Sequence, residues 1–289
     1  YNYIKNYQGE KGLYITEPIQ NLSCKKDHYY WVYKLYIENQ FDYIFGCIEN
    51  NNLNHFKYPL YLNENHFNIK NKEIYNEINH YVNHINIEKI NKKKFCCLIN
   101  SWDTNQKTRT IMFETLNNIE HINCPGKLFN NCSNQTLNKI GKANYIRGFI
   151  FNICSENFDN HNISGYITEK LMDCCLGGAI PIYSGWLDEY DLQIFNKKRI
   201  IFYNSKDKHS IENAYSFINE LLNDSNKLCR FYNQPIFNEK AFETITNLNI
   251  KLNTFLNIDK PKIKTIIICN KKKEPERYDF LMKQIKILG

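Results

Sequence analysis

Two short groups of polar residues in the middle of the chain have the side chains needed to bind a sugar nucleotide. Glu156 and Asn157 end an apolar segment, and Thr168, Glu169 and Lys170 open a helical pattern after a polar loop. A lysine beside the free N–H groups of a helix N-terminus is a favourable seat for a diphosphate. A glutamate accepts two hydrogen bonds, which suits the two hydroxyls of a ribose. We therefore expect Glu169 and Lys170 to face a nucleotide.

The elements that carry these residues follow the order of a βαβ unit. An apolar strand ends at Glu156, a helix opens with Thr168 as its cap, and a second strand runs from Ile180 to Tyr183. Gly177 and Gly178 follow the helix, where a left-handed residue is needed. Ligands of such units bind beyond the carboxyl ends of the strands. The pattern therefore places both polar groups at one edge of a parallel sheet.

A second cation belongs to the preceding unit. Phe95 to Asn100 reads as a buried strand, and residues 107–118 read as a helix with Arg109 in its first turn. The apolar residues of this helix recur at core-facing spacing, which leaves Arg109 able to point toward the same cleft as Lys170. These core-facing residues are Ile111, Met112, Leu116 and Ile119.

Strands that alternate with helices along the chain predict an α/β protein with parallel sheets. We divide the chain into an incomplete α/β lobe at 1–90, a Rossmann-like domain at 91–258 and a further segment at 259–289. Within the second division we also predict strands at Ile122–Pro125 and Arg199–Tyr203, and helices at Leu137–Ala143, Ser210–Asn223 and Glu239–Leu256.

Composition is compatible with two folded lobes and does not favour a nucleic-acid partner. The chain has 289 residues, of which 43% are hydrophobic and 15% aromatic, so disorder of the bulk is excluded. The net charge of +7 fits an acidic small substrate, and on charge alone it fits nucleic acid equally well. The lysine runs at 92–94 and 271–273 lack the interleaved aromatic residues of a single-strand binder.

The central segment resembles the donor-binding signature of glycosyltransferase family 10, the α-1,3/1,4-fucosyltransferases. The family pattern is roughly Phe-x-Leu-x-Phe-Glu-Asn-Ser, then Tyr-x-Thr-Glu-Lys, then x-Pro-x-x-x-Gly. These three parts correspond to Phe151–Phe158, Tyr166–Lys170 and Ile180–Gly185. Ser155 stands where the family usually has an aromatic residue, and Phe158 where it has a small polar one. A transferase for another nucleotide sugar is therefore the alternative.

The resemblance implies a GT-B fold, with two Rossmann-like lobes, the acceptor on the first and the donor on the second. It also implies an inverting, metal-independent transfer of fucose from GDP-fucose to a glycan or glycoprotein hydroxyl. Arg109 lies in a stretch similar to the family's Pro-x-x-Arg-x-x-Phe segment, and with Lys170 it would stabilise the departing diphosphate. Tyr166 would pack on the nucleotide, and Asn157 would close the sugar pocket.

Two carboxylates are the catalytic candidates. Leu13–Pro18 resembles the family's strand that ends in Gly-Glu-Asn, whose loop carries a catalytic carboxylate, so Glu17 would be the base. Thr16 replaces that glycine and Pro18 that asparagine, which leaves a non-catalytic sugar-nucleotide or glycan-binding module as an alternative. Glu156 would face the oxocarbenium-like sugar. Its alternative role is to pair with a neighbouring lysine and order the loop.

The C-terminal end carries a second, shorter resemblance. The strand Lys264–Cys269, Asn270, a basic turn and Pro275-Glu-Arg277 before a helix to Leu288 are similar to the start of family 25 glycosyltransferases. This implies that a second glycosyltransferase domain begins at 259–289. The alternative is a simple C-terminal βα appendage.

Cysteine usage favours a cytoplasmic location. The chain has 11 cysteines, an odd number, and several lie in apolar patterns where buried thiols are common. Cys124 and Cys132 could instead form a disulfide or half of a metal site. No apolar run is long enough to span a membrane, so we expect no membrane segment in this fragment. The chain begins at Tyr1, and an upstream anchor would indicate the Golgi lumen.

Overall fold

The computed structural model describes residues 5–9, 11–16, 18, 30–48, 55–62, 76, 85–104, 107–157, 165–256 and 266–268. The chain forms two compact units. The first comprises Tyr1–Leu62, Ser164–Tyr166 and Thr246–Gly289, and the second comprises Asn63–Ile163 and Ile167–Ile245. None of the helices in the described ranges is both long and apolar enough to cross a membrane.

The first unit is built on a sheet of four parallel strands in the order β3-β2-β1-β9. A cluster of buried aliphatic and aromatic side chains, which includes Leu13 and Val32, packs the helix Tyr30–Ile37 against this sheet. Gly46 ends β2 opposite Ile15, where a Cβ would lie 2.0 Å from the Ile15 carbonyl oxygen. The elements are β1 Gly12–Ile15, α1 Tyr30–Ile37, β2 Tyr43–Gly46, β3 His55–Lys57, a 3₁₀ turn Leu60–Leu62 and, far along the chain, β9 Ile266–Ile268.

The predicted C-terminal strand is confirmed over Ile266–Ile268. It pairs in parallel with β1, with Gly12 opposite Ile266, and so forms one edge of the first unit's sheet. The basic turn and helix predicted after it lie outside the described residues, as does Glu17. The boundaries predicted near residues 90 and 258 stay predictions.

The second unit is built on a sheet of five parallel strands in the order β5-β4-β6-β7-β8. Its central strands are buried on both faces, which explains why their sequences are continuous apolar runs. The elements are α2 Ile87–Asn91, β4 Lys94–Leu98, α3 Thr108–Leu116, β5 Ile122–Asn123, α4 Gln135–Ile140, α5 Lys142–Ile146, β6 Phe149–Ile153, α6 Glu169–Gly177, β7 Ile180–Tyr183, α7 Asp191–Ile194, a 3₁₀ turn Lys197–Arg199, β8 Ile201–Phe202, α8 Lys208–Asn223, α9 Ser225–Tyr232 and α10 Ala241–Leu256.

The strand order of the second sheet creates a topological switch point between β4 and β6. The chain leaves β4 to form β5 on one side, and it returns to the other side of β4 to form β6. The loops that follow β4 and β6 therefore diverge, and they leave a crevice at the carboxyl ends of the two strands. Arg109 follows the first of these strands, and Glu156 and Asn157 follow the second.

One predicted helix is divided in the structure, one predicted strand is shortened, and the helix α9 was missed. The helix predicted at Leu137–Ala143 is two helices, because Gly141 adopts a φ of +79° between them. The strand predicted from Arg199 is shortened by the 3₁₀ turn, whose first residues are capped by the side chain of Asn196. The helix α9 was not predicted, although Asp224 before it accepts a hydrogen bond from Lys227 N and so marks its start.

Candidate functional site

Arg109 lies in the first turn of α3, as predicted, and its guanidinium is almost fully buried. Nη1 donates to the carbonyl oxygen of Trp102 at 2.6 Å. Nη2 donates to the carbonyl oxygen of Ser155 at 3.1 Å and to Asn157 Oδ1 at 2.7 Å. The guanidinium therefore connects the loop after β4 with the end of β6, across the switch point.

Asp103 holds the start of α3, a role that the sequence analysis missed. Its Oδ1 accepts from the backbone N–H of Arg109 at 3.0 Å, and its Oδ2 from that of Thr110 at 2.9 Å. Burial alone would raise the pKa of Asp103, but the hydrogen bonds from Thr110, Arg109 and Thr104 outweigh it and lower the pKa. The available signal was an aspartate just before a helical pattern, a common capping arrangement.

Trp102 adds an aromatic surface to the same loop. Its ring centroid lies 5.5 Å from the Arg109 guanidinium carbon, within the range of a cation–π contact. The side chain is 48% exposed, which is unusual for so large an apolar group. The buried guanidinium of Arg109 thus lies next to an exposed aromatic ring of the loop after β4.

Glu156 is fully buried at the end of β6 and is bound to the start of α6. Its Oε1 accepts from Thr168 N at 2.9 Å and from the Tyr183 hydroxyl at 3.4 Å, and its Oε2 accepts from Thr168 Oγ1 at 2.5 Å. The predicted side-chain cap at Thr168 is therefore wrong. Thr168 occupies the N-cap position, but its hydroxyl donates to a buried carboxylate that needs partners and makes no cap hydrogen bond.

Lys170 joins this arrangement from the first turn of α6. Its Nζ donates to Thr168 Oγ1 at 2.9 Å, and it lies 3.6 Å from Glu156 Oε2 and 3.4 Å from Glu169 Oε1. Burial lowers the pKa of Lys170, but the two carboxylates outweigh this effect and raise it. Burial also raises the pKa of Glu156, and the neighbouring ammonium reduces that rise. We interpret the pair as ionic, since the described donors to Glu156 suit a carboxylate.

Glu169 forms ion pairs on both sides. Its Oε1 lies 3.4 Å from Lys170 Nζ and 3.7 Å from Lys142 Nζ. Lys142 also lies 3.6 Å from Asp173 Oδ2, one turn further along α6. The predicted contact of Glu169 with a ribose stays a prediction.

The structure brings six of the predicted site residues together in the second unit. These are Arg109, Glu156, Asn157, Thr168, Glu169 and Lys170, all at the carboxyl ends of β4 and β6 or at the start of α6. Tyr166 is buried and is assigned to the first unit, and its predicted packing on the nucleotide stays a prediction. Glu17 and Phe158 lie outside the described residues.

Comparison with known proteins decides which family this site belongs to. The model named "Glycosyltransferase family 10 (fucosyltransferase) C-term" matches residues 89–256, more than half of the chain. The chain belongs to glycosyltransferase family 10. The matched range contains the whole cluster built around Arg109 and Lys170. The resemblance of the C-terminal end to family 25 stays a prediction.

A curated relative of this family 10 chain agrees with the assignment. The α-(1,3)-fucosyltransferase FucT of Helicobacter pylori is 29% identical over 146 residues, which span 50% of this chain and 28% of that protein. The chain thus matches well under half of that relative's length.

Solved structures confirm the predicted GT-B type of α/β fold. A crystal structure of an α1,3-fucosyltransferase with GDP-fucose has a TM-score of 0.56 and 21% identity, covering 88% of this chain and 77% of that one. A structure of an α1,3-fucosyltransferase with GDP gives the same score and identity, with 88% and 76% covered. At this level of identity the likeness shows the fold.

The two glycines predicted to end α6 are confirmed in this member of family 10. Gly178 is the C-cap with a φ of +77°, which favours glycine. A Cβ on Gly177 would lie 2.8 Å from the carbonyl oxygen of Ala143, so this glycine permits the close packing of α6 on α5. The helix that carries Glu169 and Lys170 is thereby fixed at its far end.

The cysteines of the described ranges are free thiols, including Cys124 and Cys132. Burial, followed by the neighbouring Cys132, raises the pKa of Cys124 to about 12, so its thiol is protonated at neutral pH. Among the residues that the structure describes, no group of three or more His, Cys, Asp or Glu side chains could hold a metal ion. The predicted cytoplasmic location stays a prediction.

Proposed function

We propose that the chain transfers fucose from GDP-fucose to a hydroxyl of a glycan or glycoprotein. The observation that carries this proposal is the convergence of Arg109 and Lys170 at the switch point of the second sheet, each in the first turn of a helix. Membership of family 10 and similarity to an α1,3-fucosyltransferase structure with GDP-fucose support the donor. The acceptor follows from the family resemblance.

The electrostatics of the pair favour a dianionic group between these elements. Arg109 repels the charged form of Lys170, although Glu156 and Glu169 have the larger effect and raise the pKa of Lys170 overall. Both also lie at helix N-termini, where the helix dipole disfavours positive charge. A diphosphate would offset this repulsion and would accept hydrogen bonds from first-turn N–H groups of α6, which the Thr168 side chain does not cap.

The proposed reaction is a single displacement with inversion. The acceptor oxygen forms a bond to the anomeric carbon of fucose while the bond from that carbon to the diphosphate oxygen breaks. The acceptor proton passes to Glu17, and the negative charge that develops on GDP is stabilised by Arg109 and Lys170. In the sequence Glu17 comes two residues after Ile15, the last residue of β1, and residues that follow the carboxyl ends of parallel strands are often functional.

We also propose that the transfer needs no metal ion. A forked guanidinium and an ammonium supply the two positive charges that a divalent cation would otherwise give to the leaving diphosphate. The role of this pair is testable, since GDP binding and transfer would then proceed in EDTA.

For Glu156 we propose a supporting role in place of direct contact with the sugar. Its carboxylate is fully buried, and Thr168 and Lys170 both lie against it. The arrangement matches the alternative in which Glu156 pairs with a lysine and orders the loop. It would act on the donor through the position of the Lys170 ammonium.

The proposal is tested by GDP release from GDP-fucose in EDTA, with and without a panel of glycan acceptors. We expect acceptor-dependent release by the wild type, strong loss in Glu17→Gln, and no release of UDP or CMP from their sugar conjugates. The anomeric configuration of the product, read by NMR, tests inversion. Tight GDP binding without any turnover would contradict transferase activity and would favour the non-catalytic module suggested by Thr16 and Pro18.

A further inference from the structure

The hydroxyl of Tyr203 joins two segments that position Arg109. Tyr203 directly follows β8, and its hydroxyl donates to the backbone carbonyl of Thr108 at 3.0 Å. The same oxygen lies 2.6 Å from Ser155 Oγ. A phenol has one hydrogen and a carbonyl cannot donate, so Ser155 is the donor to Tyr203. The direction of both hydrogen bonds is therefore fixed.

The two partners of Tyr203 are immediate neighbours of site residues. Thr108 precedes Arg109 in the first turn of α3. Ser155 precedes Glu156, and its carbonyl oxygen accepts from Arg109 Nη2 at 3.1 Å. The Tyr203 hydroxyl thus connects Thr108, which directly precedes Arg109, with Ser155. The carbonyl oxygen of Ser155 in turn accepts from the Arg109 guanidinium.

This connection lies in a buried network of hydroxyl groups. Tyr203, Ser155 and Thr108 are all buried, and so are Thr104 and Ser205. Thr104 Oγ1 donates to Thr108 Oγ1 at 3.0 Å, and Ser205 Oγ lies 3.2 Å from the same atom. A buried network whose members have partners resists movement, because breaking one bond leaves polar groups without water. The first turn of α3 is therefore held in one orientation.

We propose that Tyr203 is a positioning residue for the donor site, whose hydroxyl acts with Ser155 to hold the Arg109 guanidinium where it binds a diphosphate. Tyr203 acts through Arg109 and has no direct contact with the donor. This inference rests on the proposed function, because it takes the ligand of Arg109 to be the diphosphate of a nucleotide.

Binding of GDP by isothermal titration calorimetry tests the proposal in the whole chain. We expect Tyr203→Phe, which keeps the ring and removes the hydroxyl, to weaken GDP binding about tenfold, and Ser155→Ala to have a similar effect. In an Arg109→Lys background, Tyr203→Phe should change the affinity by less than about twofold, since a flexible ammonium has no fork to orient.

Tyr145→Phe is the matched control. The Tyr145 hydroxyl lies 3.8 Å from Cys132 Sγ, and its ring packs on Phe149 at the opposite end of β6. Its removal should leave GDP affinity unchanged. Equal GDP affinity in the wild type and Tyr203→Phe would overturn the proposal, even if the variant melts at a lower temperature, because Tyr203 would then only stabilise the fold.

A measurement on the free protein, without GDP, tests the positioning role of Tyr203 independently of the proposed function. Rotation of the Arg109 guanidinium in the free protein can be followed by ¹⁵N NMR, with its signals assigned by their loss in Arg109→Lys. We expect faster rotation in Tyr203→Phe than in the wild type or Tyr145→Phe. Absence of GDP binding by the wild type would contradict the proposed function alone, whereas unchanged rotation in Tyr203→Phe would overturn the positioning role.

Discussion

The helix α6 has a cation at each end, Arg199 buried and Lys170 partly exposed, and the two are held in opposite ways. At its C-terminus, Arg199 donates to the carbonyl oxygens of Gly178 and Ala179 at 2.8 Å each and to that of Tyr232 at 3.0 Å. Helix C-termini carry partial negative charge, so the fold itself favours a cation there. At the N-terminus, Lys170 lies in the first turn, where the helix dipole disfavours it.

From this difference we infer different roles for the two cations. Arg199 satisfies carbonyl groups that the end of a helix leaves without partners. Lys170 is stabilised by Glu156 and Glu169, and it is repelled by Arg109, which occupies the same position on α3. We infer that the cations at helix N-termini serve an anionic ligand and that the cation at the C-terminus serves stability.

The largest expected effect is a loss of stability on replacing Arg199, the cation at the C-terminus of α6. Arg199→Met should lower the free energy of unfolding by about 3 kcal/mol or more, because three buried carbonyls lose a charged donor. GDP affinity of the folded protein should not change. Urea denaturation measures the first quantity, with the exposed neighbour Lys198→Met as a control expected within about 0.5 kcal/mol of the wild type. If Arg199→Met lost GDP affinity but kept normal stability, Arg199 would serve the ligand, and our assignment of the two roles would be wrong.

The second-largest expected effect is a loss of GDP affinity on replacing Arg109, a cation at a helix N-terminus. Arg109→Ala should weaken GDP binding about 100-fold, or about 2.7 kcal/mol, because the proposed charge-assisted contact with the diphosphate would be removed. Calorimetry provides the measurement. Arg147→Ala, at the amino end of β6, is the matched control and should bind GDP like the wild type. Equal losses in both variants would mean that general charge, and not the position of Arg109, attracts the nucleotide.

Lys170 should give a smaller loss of binding together with a loss of stability. Lys170→Met is expected to weaken GDP binding about tenfold, or about 1.4 kcal/mol. It also leaves the fully buried Glu156 without its cation, so the protein should unfold more easily. Adding Glu156→Gln should recover stability but not GDP binding, as measured by urea denaturation and calorimetry. A double variant no more stable than the single one would argue against an ionic pair.

The smallest expected effect is a loss of stability on replacing Asp103, which caps the start of α3. Asp103→Asn should cost about 1 kcal/mol of stability at neutral pH, because it weakens the cap of the helix that carries Arg109. The folded pKa of Asp103 is lowered from 3.8, so its stabilisation is present above that pH and is lost as the pH falls through the folded pKa. The stability difference from the wild type should therefore shrink in acid. A difference independent of pH would exclude the carboxylate as its source.

Local patterns in the sequence were sufficient to predict much of the second unit. The apolar runs of β6 and β7, the start of α6 and the glycines that end it have short-range signals, and the structure confirms them. The position of Arg109 in the first turn of α3 follows from the spacing of apolar residues in that helix. The family motif then linked these elements to one donor site.

Contacts between distant segments could not be predicted in the same way. Whether the Thr168 hydroxyl caps its helix or donates to Glu156 depends on where the end of β6 lies, and no local pattern records this. Tyr203 reaches Ser155 and Thr108 only because the strand order brings β8 to that side of the sheet. The break at Gly141 was also missed, since a helical pattern continues on both sides of it.

The most direct test of the account is a calorimetric titration of GDP into the wild-type chain in EDTA, repeated with Mg²⁺ and with UDP. If Arg109 and Lys170 form a diphosphate seat at two helix N-termini and the donor is GDP-fucose, GDP binds with micromolar affinity that is the same with and without the metal, and UDP does not bind. A folded chain that binds no GDP, or that binds it only with Mg²⁺, would contradict this account.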